Sequence, residues 1–156
     1  MGEITRIDVI NIIGAAGKAG VVLRGVDLSG VDLSGLSFEE ANLSFANLNS
    51  ANLSRADLSK ANLTRANLAY VDMAEAIAQG AVFFETNLSG ADLRTVDFTN
   101  ADLRKTDLRG ANMRGTILKG ANLWQADLRD ATMIYAELEG AKGLPVDIQE
   151  WLRSKT

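Results

Sequence analysis

From Val21 to Gly140 the chain falls into 24 consecutive five-residue units without one insertion or deletion. The middle residue of each unit (Leu23, Leu28, Leu33, Phe38 and onward to Leu138) is Leu 17 times, Phe three times and Met three times, with only Ala78 departing. Two residues earlier stands Ala in 15 units, and Val, Leu or Thr in the others. The residue between is Asn or Asp in 17 units, and the last two positions are mostly polar, charged or Gly. A period of five excludes both common secondary structures as the organising element. A helix turns every 3.6 residues, so apolar residues five apart would wander round all its faces. A continuous strand alternates every two, so a spacing of five reverses the face at each step.

A short extended piece followed by a corner satisfies the pattern. In Ala51-Asn52-Leu53, alternation sends Ala and Leu to one side and Asn to the other. The next two residues, Ser54 and Arg55, then turn the chain. Gly ends nine units, where its missing Cβ suits a turn. With each corner near a right angle, four units close one coil and each face recurs every 20 residues. The repeat then predicts an all-β solenoid of about six coils, on the order of 29 Å tall at ~4.8 Å per coil. Leu fills the interior, Ala the narrow corners, and backbone groups pair between coils.

Units such as Ala51-Asn52-Leu53-Ser54-Arg55 resemble the pentapeptide-repeat family over residues 21–140. The resemblance implies a right-handed quadrilateral β-helix. Among family members, the chain is similar to the small, loop-free ones abundant in cyanobacteria, most of which have no assigned activity. Ala15-Ala16-Gly17-Lys18 is similar to the stretch they often show ahead of the first repeat.

The flanks read as helical caps over the open coil ends, giving three regions: 1–20, 21–140 and 141–156. Thr5 to Ala16 suits a short helix, with Thr5 as N-cap, Asp8 three positions on, and Ile7, Ile10 and Ile13 among its apolar members. Gly14 and Gly17 mark its weakening. Pro145 opens a final helix, where Leu144, Ile148, Trp151 and Leu152 form one apolar face. That face either covers the last coil or, as the resemblance allows, holds a second copy in a homodimer.

The chemistry available to this chain is narrow. It has no Cys and no His, which removes thiol nucleophiles, the commonest general base and the usual zinc ligands. Neither a catalytic site, a cofactor nor a metal is expected, and a filled rod has no cleft to hold one. Asp72, Asp92 and Asn112 share a column, as do Asp107 and Asp127, close enough to hold calcium or to raise one another's pKa. Arg94, Arg109, Arg114 and Arg129 stand two residues along, and the opposing reading is a solvated surface of alternating charge. Between residues 86 and 140, eight acidic residues face seven basic ones, so no direct nucleic-acid binding is expected. The apolar run Val9–Ile13 is interrupted by Asn11, and no stretch nears the roughly 20 apolar residues of a membrane span. The residue pattern therefore points to no membrane partner and a cytoplasmic location.

The strongest irregularity is residues 76–84. Ile77 and Val82 replace outward Asn or Asp, and Phe84 also points outward. Spacing by 20 puts Phe84, Arg104 and Trp124 in one column, and Ile77, Asp97 and Ile117 in another. Two readings compete. Ile77, Val82, Phe84, Arg104, Ile117 and Trp124 form a partner surface, or Ile77 rotates inward to fill the space that Ala78 leaves. The functional expectation is a non-catalytic scaffold that binds another protein. The alternative is a DNA-mimicking inhibitor or protector of DNA gyrase, as in the family's quinolone-resistance branch. A net charge of only −4 and loop-free coils disfavour it.

Overall fold

Every second-position residue from Val22 to Asn122 forms a parallel β-bridge with the residue 20 positions on, the last rung being Asn122 with Lys142. Four units therefore complete one circuit of the chain, as the repeat predicts. These contacts come from a computed structural model, which describes residues 4–16 and 20–148.

Each unit's five backbone N–H groups have a regular fate, and the unit beginning at Ala51 shows it. The first residue donates back to the preceding middle carbonyl across the corner (Ala51 to Leu48, 3.0 Å). The second donates to the circuit before it (Asn52 to Val31, 3.0 Å). The third and fifth donate to the circuit after it (Leu53 to Asp72, 2.6 Å; Arg55 to Ala74, 2.9 Å). The fourth donates to the Asn or Asp of its own unit (Ser54 to Asn52 Oδ1, 3.0 Å). Thus the sheet-like ladder leaves one donor per unit, and the second-position side chain takes it. Buried backbone must be paired, so the repeat needs an acceptor at that place.

The corner needs a left-handed residue. All 24 fifth positions have φ between 55° and 68°, although only nine are Gly. This conformation costs an L-residue roughly 1–2 kcal/mol, and a β-branched residue such as Thr95 is its least comfortable occupant. From Gly25 to Gly120 the fifth N–H is held by a carbonyl of the next circuit (Thr95 to Arg114, 3.0 Å), which helps to hold this conformation.

Inside, every middle residue from Leu23 to Leu123 is buried, with Ala packed beside it at the corners. Where Thr86, Thr106 and Thr116 replace corner Ala, their hydroxyls donate to Leu63, Phe83 and Leu93 carbonyls at 2.7–2.9 Å. No buried polar side-chain atom is left without a partner among the described residues. Ala78 keeps its register and is fully buried. One circuit on stands Phe98, which packs edge to face with Phe83 at 5.3 Å between centroids. Ile77 does not turn inward: it stays 44% exposed and bridged to Asp97. The inward reading of Ile77 is overturned by that exposure.

At the amino-terminal end, α1 (Arg6–Ala16) lies against the first circuit. Thr5 and Asp8 form a reciprocal cap, with the Thr5 N–H donating to Asp8 Oδ2 at 2.8 Å and the Asp8 N–H to Thr5 Oγ1 at 3.4 Å. Its packed side is Val9, Ile12, Ile13 and Ala16. Ile7 and Ile10, which the sequence named only as apolar members of the helix, face outward, with Ile7 69% exposed. α1 is apolar almost all round, so spacing alone did not single out the buried stripe. Arg6 does specific work there. Its guanidinium donates to the Asp32 and Ser34 carbonyls, both at 2.9 Å, acceptors that a preceding circuit would otherwise engage. Replacing Arg6 by Ala is expected to cost about 1–2 kcal/mol, and Lys recovers little because it lacks the two-pronged fork. Thermal denaturation checks this: a melting temperature within about a degree of the parent would remove the guanidinium from the account.

At the other end the chain leaves the ladder through Gly143 (φ 73°), where an added Cβ would lie 2.6 Å from Trp124 Cα. Leu144 is buried, Pro145 follows, and helical backbone occupies 146–148, with Ile148 packed against the core. Trp151 and Leu152 lie outside the described residues. Leu128, Met133 and Leu138 are only partly buried, unlike their counterparts in earlier circuits. Among the described residues no helix is long and apolar enough to cross a membrane.

Candidate interaction surface

The outer surface sorts into four faces, each recurring every 20 residues: the first starts at 21, the second at 26, the third at 31 and the fourth at 36. All 17 second-position Asn and Asp residues accept the backbone N–H two residues on, as Asp27 does from Ser29 (3.0 Å) and Asn122 from Trp124 (3.2 Å). On the second face the amides also link circuits, Asn87 to Asn67 (3.3 Å), Asn67 to Asn47 (3.1 Å) and Asn47 to Asp27 (2.9 Å). Four Asp-Leu-Arg units then close on themselves: Arg94 on Asp92, Arg104 on Asp102, Arg109 on Asp107 (2.6 Å each) and Arg129 on Asp127. The acidic columns are committed to turns and to guanidinium groups. Among the described residues no group of three acidic side chains is arranged to hold a metal ion.

The exceptions to this economy are informative. Where Ile77, Val82 and Ile117 take the second position, the N–H groups of Gln79, Phe84 and Lys119 lose the acceptor their counterparts have. Val22 does the same to Arg24. Each such replacement forgoes a turn hydrogen bond worth about 1 kcal/mol. None fills the core in return, since Ile77 and Val22 are exposed and Val82 and Ile117 half-buried.

The six residues expected to form a partner surface divide between two faces. Val82, Phe84, Arg104 and Trp124 lie on the first; Ile77 and Ile117 lie on the fourth, separated by Asp97. Trp124 is 61% exposed. Phe84 is half-buried beneath two cations, with the Arg104 guanidinium 5.4 Å and the Lys105 ammonium 5.3 Å from its centroid. Arg104 therefore stacks on Phe84 while holding Asp102. A shallow depression of about 670 Å³ on the third face, lined by Glu75, Arg94, Thr95, Arg114, Gly115 and Tyr135, was not foreseen.

A family model described as pentapeptide repeats matches residues 19–55, 46–83, 79–115 and 110–142. The chain belongs to the pentapeptide-repeat family. The structure is similar to a pentapeptide repeat protein, Rfr23, from the cyanobacterium Cyanothece 51142, at 23% identity over 86% of this chain and 98% of that one, with a TM-score of 0.55. It is also similar to one from the Arabidopsis thaliana thylakoid lumen (27% identity, 85% and 77% covered, TM-score 0.41). A third is QnrB1, a plasmid-mediated fluoroquinolone resistance protein (20% identity, 87% and 95% covered, TM-score 0.45). No curated protein matches in sequence. Pentapeptide-repeat proteins are right-handed quadrilateral β-helices, the architecture that the resemblance implied.

The ion pairs give this repeat protein an acid limit. Hydrogen bonds from the arginine side chains, opposed by desolvation, hold Asp92, Asp102 and Asp107 below the ordinary carboxylate value; those from Arg129 bring Asp127 to about 2. Carboxylates with depressed folded-state pKa values stabilise above their unfolded pKa, and that stabilisation is lost as pH falls through the folded one. The melting temperature should therefore stay level from neutrality to about pH 4 and fall between about pH 4 and 2. Replacing Arg94, Arg104, Arg109 and Arg129 together by Gln should flatten that decline. A quadruple variant with an unchanged acid limb would place the sensitivity elsewhere.

Proposed function

We propose that this pentapeptide-repeat protein is a non-catalytic scaffold that binds another protein along the shaft, through Val82, Phe84, Arg104 and Trp124 with Ile77 and Ile117 at the border. What carries the reading is that Ile77, Val82 and Ile117 give up a stabilising turn hydrogen bond without entering the core. Outward apolar residues that stability does not require are accounted for by contact with a partner. The second-position Asp residues all accept a turn N–H and four of them also hold Arg, so the Asp columns offer no free catalyst. In the same reading, residues 21–140 make six coils and 1–20 and 141–156 shield their ends, with a cytoplasmic location. Leu144 and Ile148, with Trp151 and Leu152, either close the last coil or join two copies.

The test is an affinity pull-down from the cells that make the protein, run beside a Phe84→Asp/Trp124→Asp variant of unchanged β-helical circular dichroism. Specific partners should be retained by the parent and lost by the variant. Recovery of the same proteins by both would dismiss this surface. The gyrase alternative requires an extended negative field, whereas the arginines interrupt the acidic columns; inhibition of supercoiling at micromolar protein would reinstate it.

A further inference from the structure

Charge is unevenly divided among the faces. The first carries Arg24, Arg65, Arg104 and Lys105 against only Glu85 and Asp102. The fourth carries Lys60 and Lys119 against six carboxylates: Glu39, Glu40, Asp57, Asp97, Glu137 and Glu139. A chain of net charge −4 thus presents one face with an excess of cations.

The arrangement on that face is also periodic. In its fourth and fifth columns, successive circuits bring Arg24, Phe45, Arg65, Phe84, Arg104 with Lys105, and Trp124: cation and aromatic in strict alternation over six circuits. Arg24 lies over the Phe45 ring at 5.0 Å, and Arg104 and Lys105 flank Phe84. Glu85 is shared by Arg65 (2.7 Å) and Lys105 (3.2 Å), so one carboxylate serves two cations. Arg24 has no carboxylate partner among the described residues. The Arg24 and Phe84 N–H groups lack their usual acceptors on this same face. Cations in excess and open backbone donors call for a partner rich in acceptors and negative charge.

Spacing narrows the partner's form. Circuits lie ~4.8 Å apart, so like rungs recur at roughly 9.6 Å. A helix rises about 5.4 Å per turn, and residues i and i+7 are about 10.5 Å apart on one side. One helical turn per rung therefore sets an apolar residue against each aromatic and an acidic residue against each cation, over about 16–18 residues. Single-stranded nucleic acid fits less well, because successive bases stack on neighbouring rings, whereas Phe45, Phe84 and Trp124 stand two circuits apart with a cation-bearing circuit between.

Resting on the scaffold reading above, we propose that the first face is a docking strip for an acidic amphipathic helix of a partner protein, with apolar and acidic residues alternating turn by turn. The probe is a labelled synthetic helix of about 18 residues with Leu and Glu alternating once per turn, followed by fluorescence anisotropy. It is compared with a scrambled peptide of identical composition and with an 18-nucleotide oligo-dT. The parent should bind the patterned helix, more weakly as salt rises. Arg24→Glu/Lys105→Glu should lower affinity about tenfold or more, while Arg55→Glu/Arg114→Glu on the third face, with the same charge change, alters it less than about twofold. The proposal is overturned if the scrambled peptide binds equally, if both variants lose equally, if oligo-dT binds more tightly, or if the patterned helix fails to bind at about 1 mM. A partner lost with Phe84→Asp/Trp124→Asp in the pull-down, alongside any of those results, leaves the scaffold standing and removes the helix alone.

Discussion

Truncating Leu68 to Ala should destabilise the protein by about 3–5 kcal/mol, whereas the equivalent truncation of Met133 should cost only about 1–2. Both hold the middle position of a unit, and a sequence profile treats them alike. Leu68 is fully buried, with a circuit on either side. Its removal forfeits the transfer free energy of the lost methyl groups and leaves a cavity that the ladder resists closing: the Leu68 N–H is fixed to Asn87 at 2.7 Å and the Leu68 carbonyl to Val71 at 3.2 Å. Met133 lies in the last circuit, partly exposed beside a hollow of about 310 Å³ that it lines with Leu138, Asp147 and Ile148. Less surface is lost there, and water or neighbours fill the gap. Urea denaturation of the two variants decides it. Equal losses would mean that the open end packs as tightly as the middle, contradicting the exposure of Leu128, Met133 and Leu138.

The period of five made the fold legible because it constrains side chains and backbone together. Leu and its substitutes at 23, 28, 33 and onward face the axis, and bridges separated by 20 residues give four units to a circuit. The reason for Asn and Asp was less legible: their outward direction was visible in Ala51-Asn52-Leu53, but not that Ser54 depends on Asn52 for its hydrogen bond. That dependence turns Ile77, Val82 and Ile117 from merely apolar residues into forgone hydrogen bonds. The left-handed backbone at Phe45 and Lys60 was hidden because residue type signals it only where Gly is used. Charge on the candidate surface was obscured by summing over residues 86–140, which mixes all four faces. Sorted by face, the same residues put Arg104 and Lys105 beside Phe84 and leave the fourth face acidic.

Phe98 and Ala78 should prove energetically coupled. Ala78 is the smallest middle residue in the array, and one circuit on stands Phe98, turned against Phe83 in the same circuit. Phe98→Leu alone should cost about 1–2 kcal/mol, because the space above Ala78 is no longer filled. Ala78→Leu alone should cost about 1–3 kcal/mol, since the added atoms meet two phenylalanines in a fully buried site and neither can leave. Combined, the two substitutions restore a Leu-over-Leu column like that at Leu48 and Leu68, and the double variant should lie within about 1 kcal/mol of the parent. The coupling, about 3 kcal/mol, is the signature of residues sharing one volume. Simple additivity would show that Phe98 does not occupy the space left by Ala78. The exposure of Ile77 would then need another cause, and the outward apolar residues on the fourth face could no longer be separated from the packing beneath them.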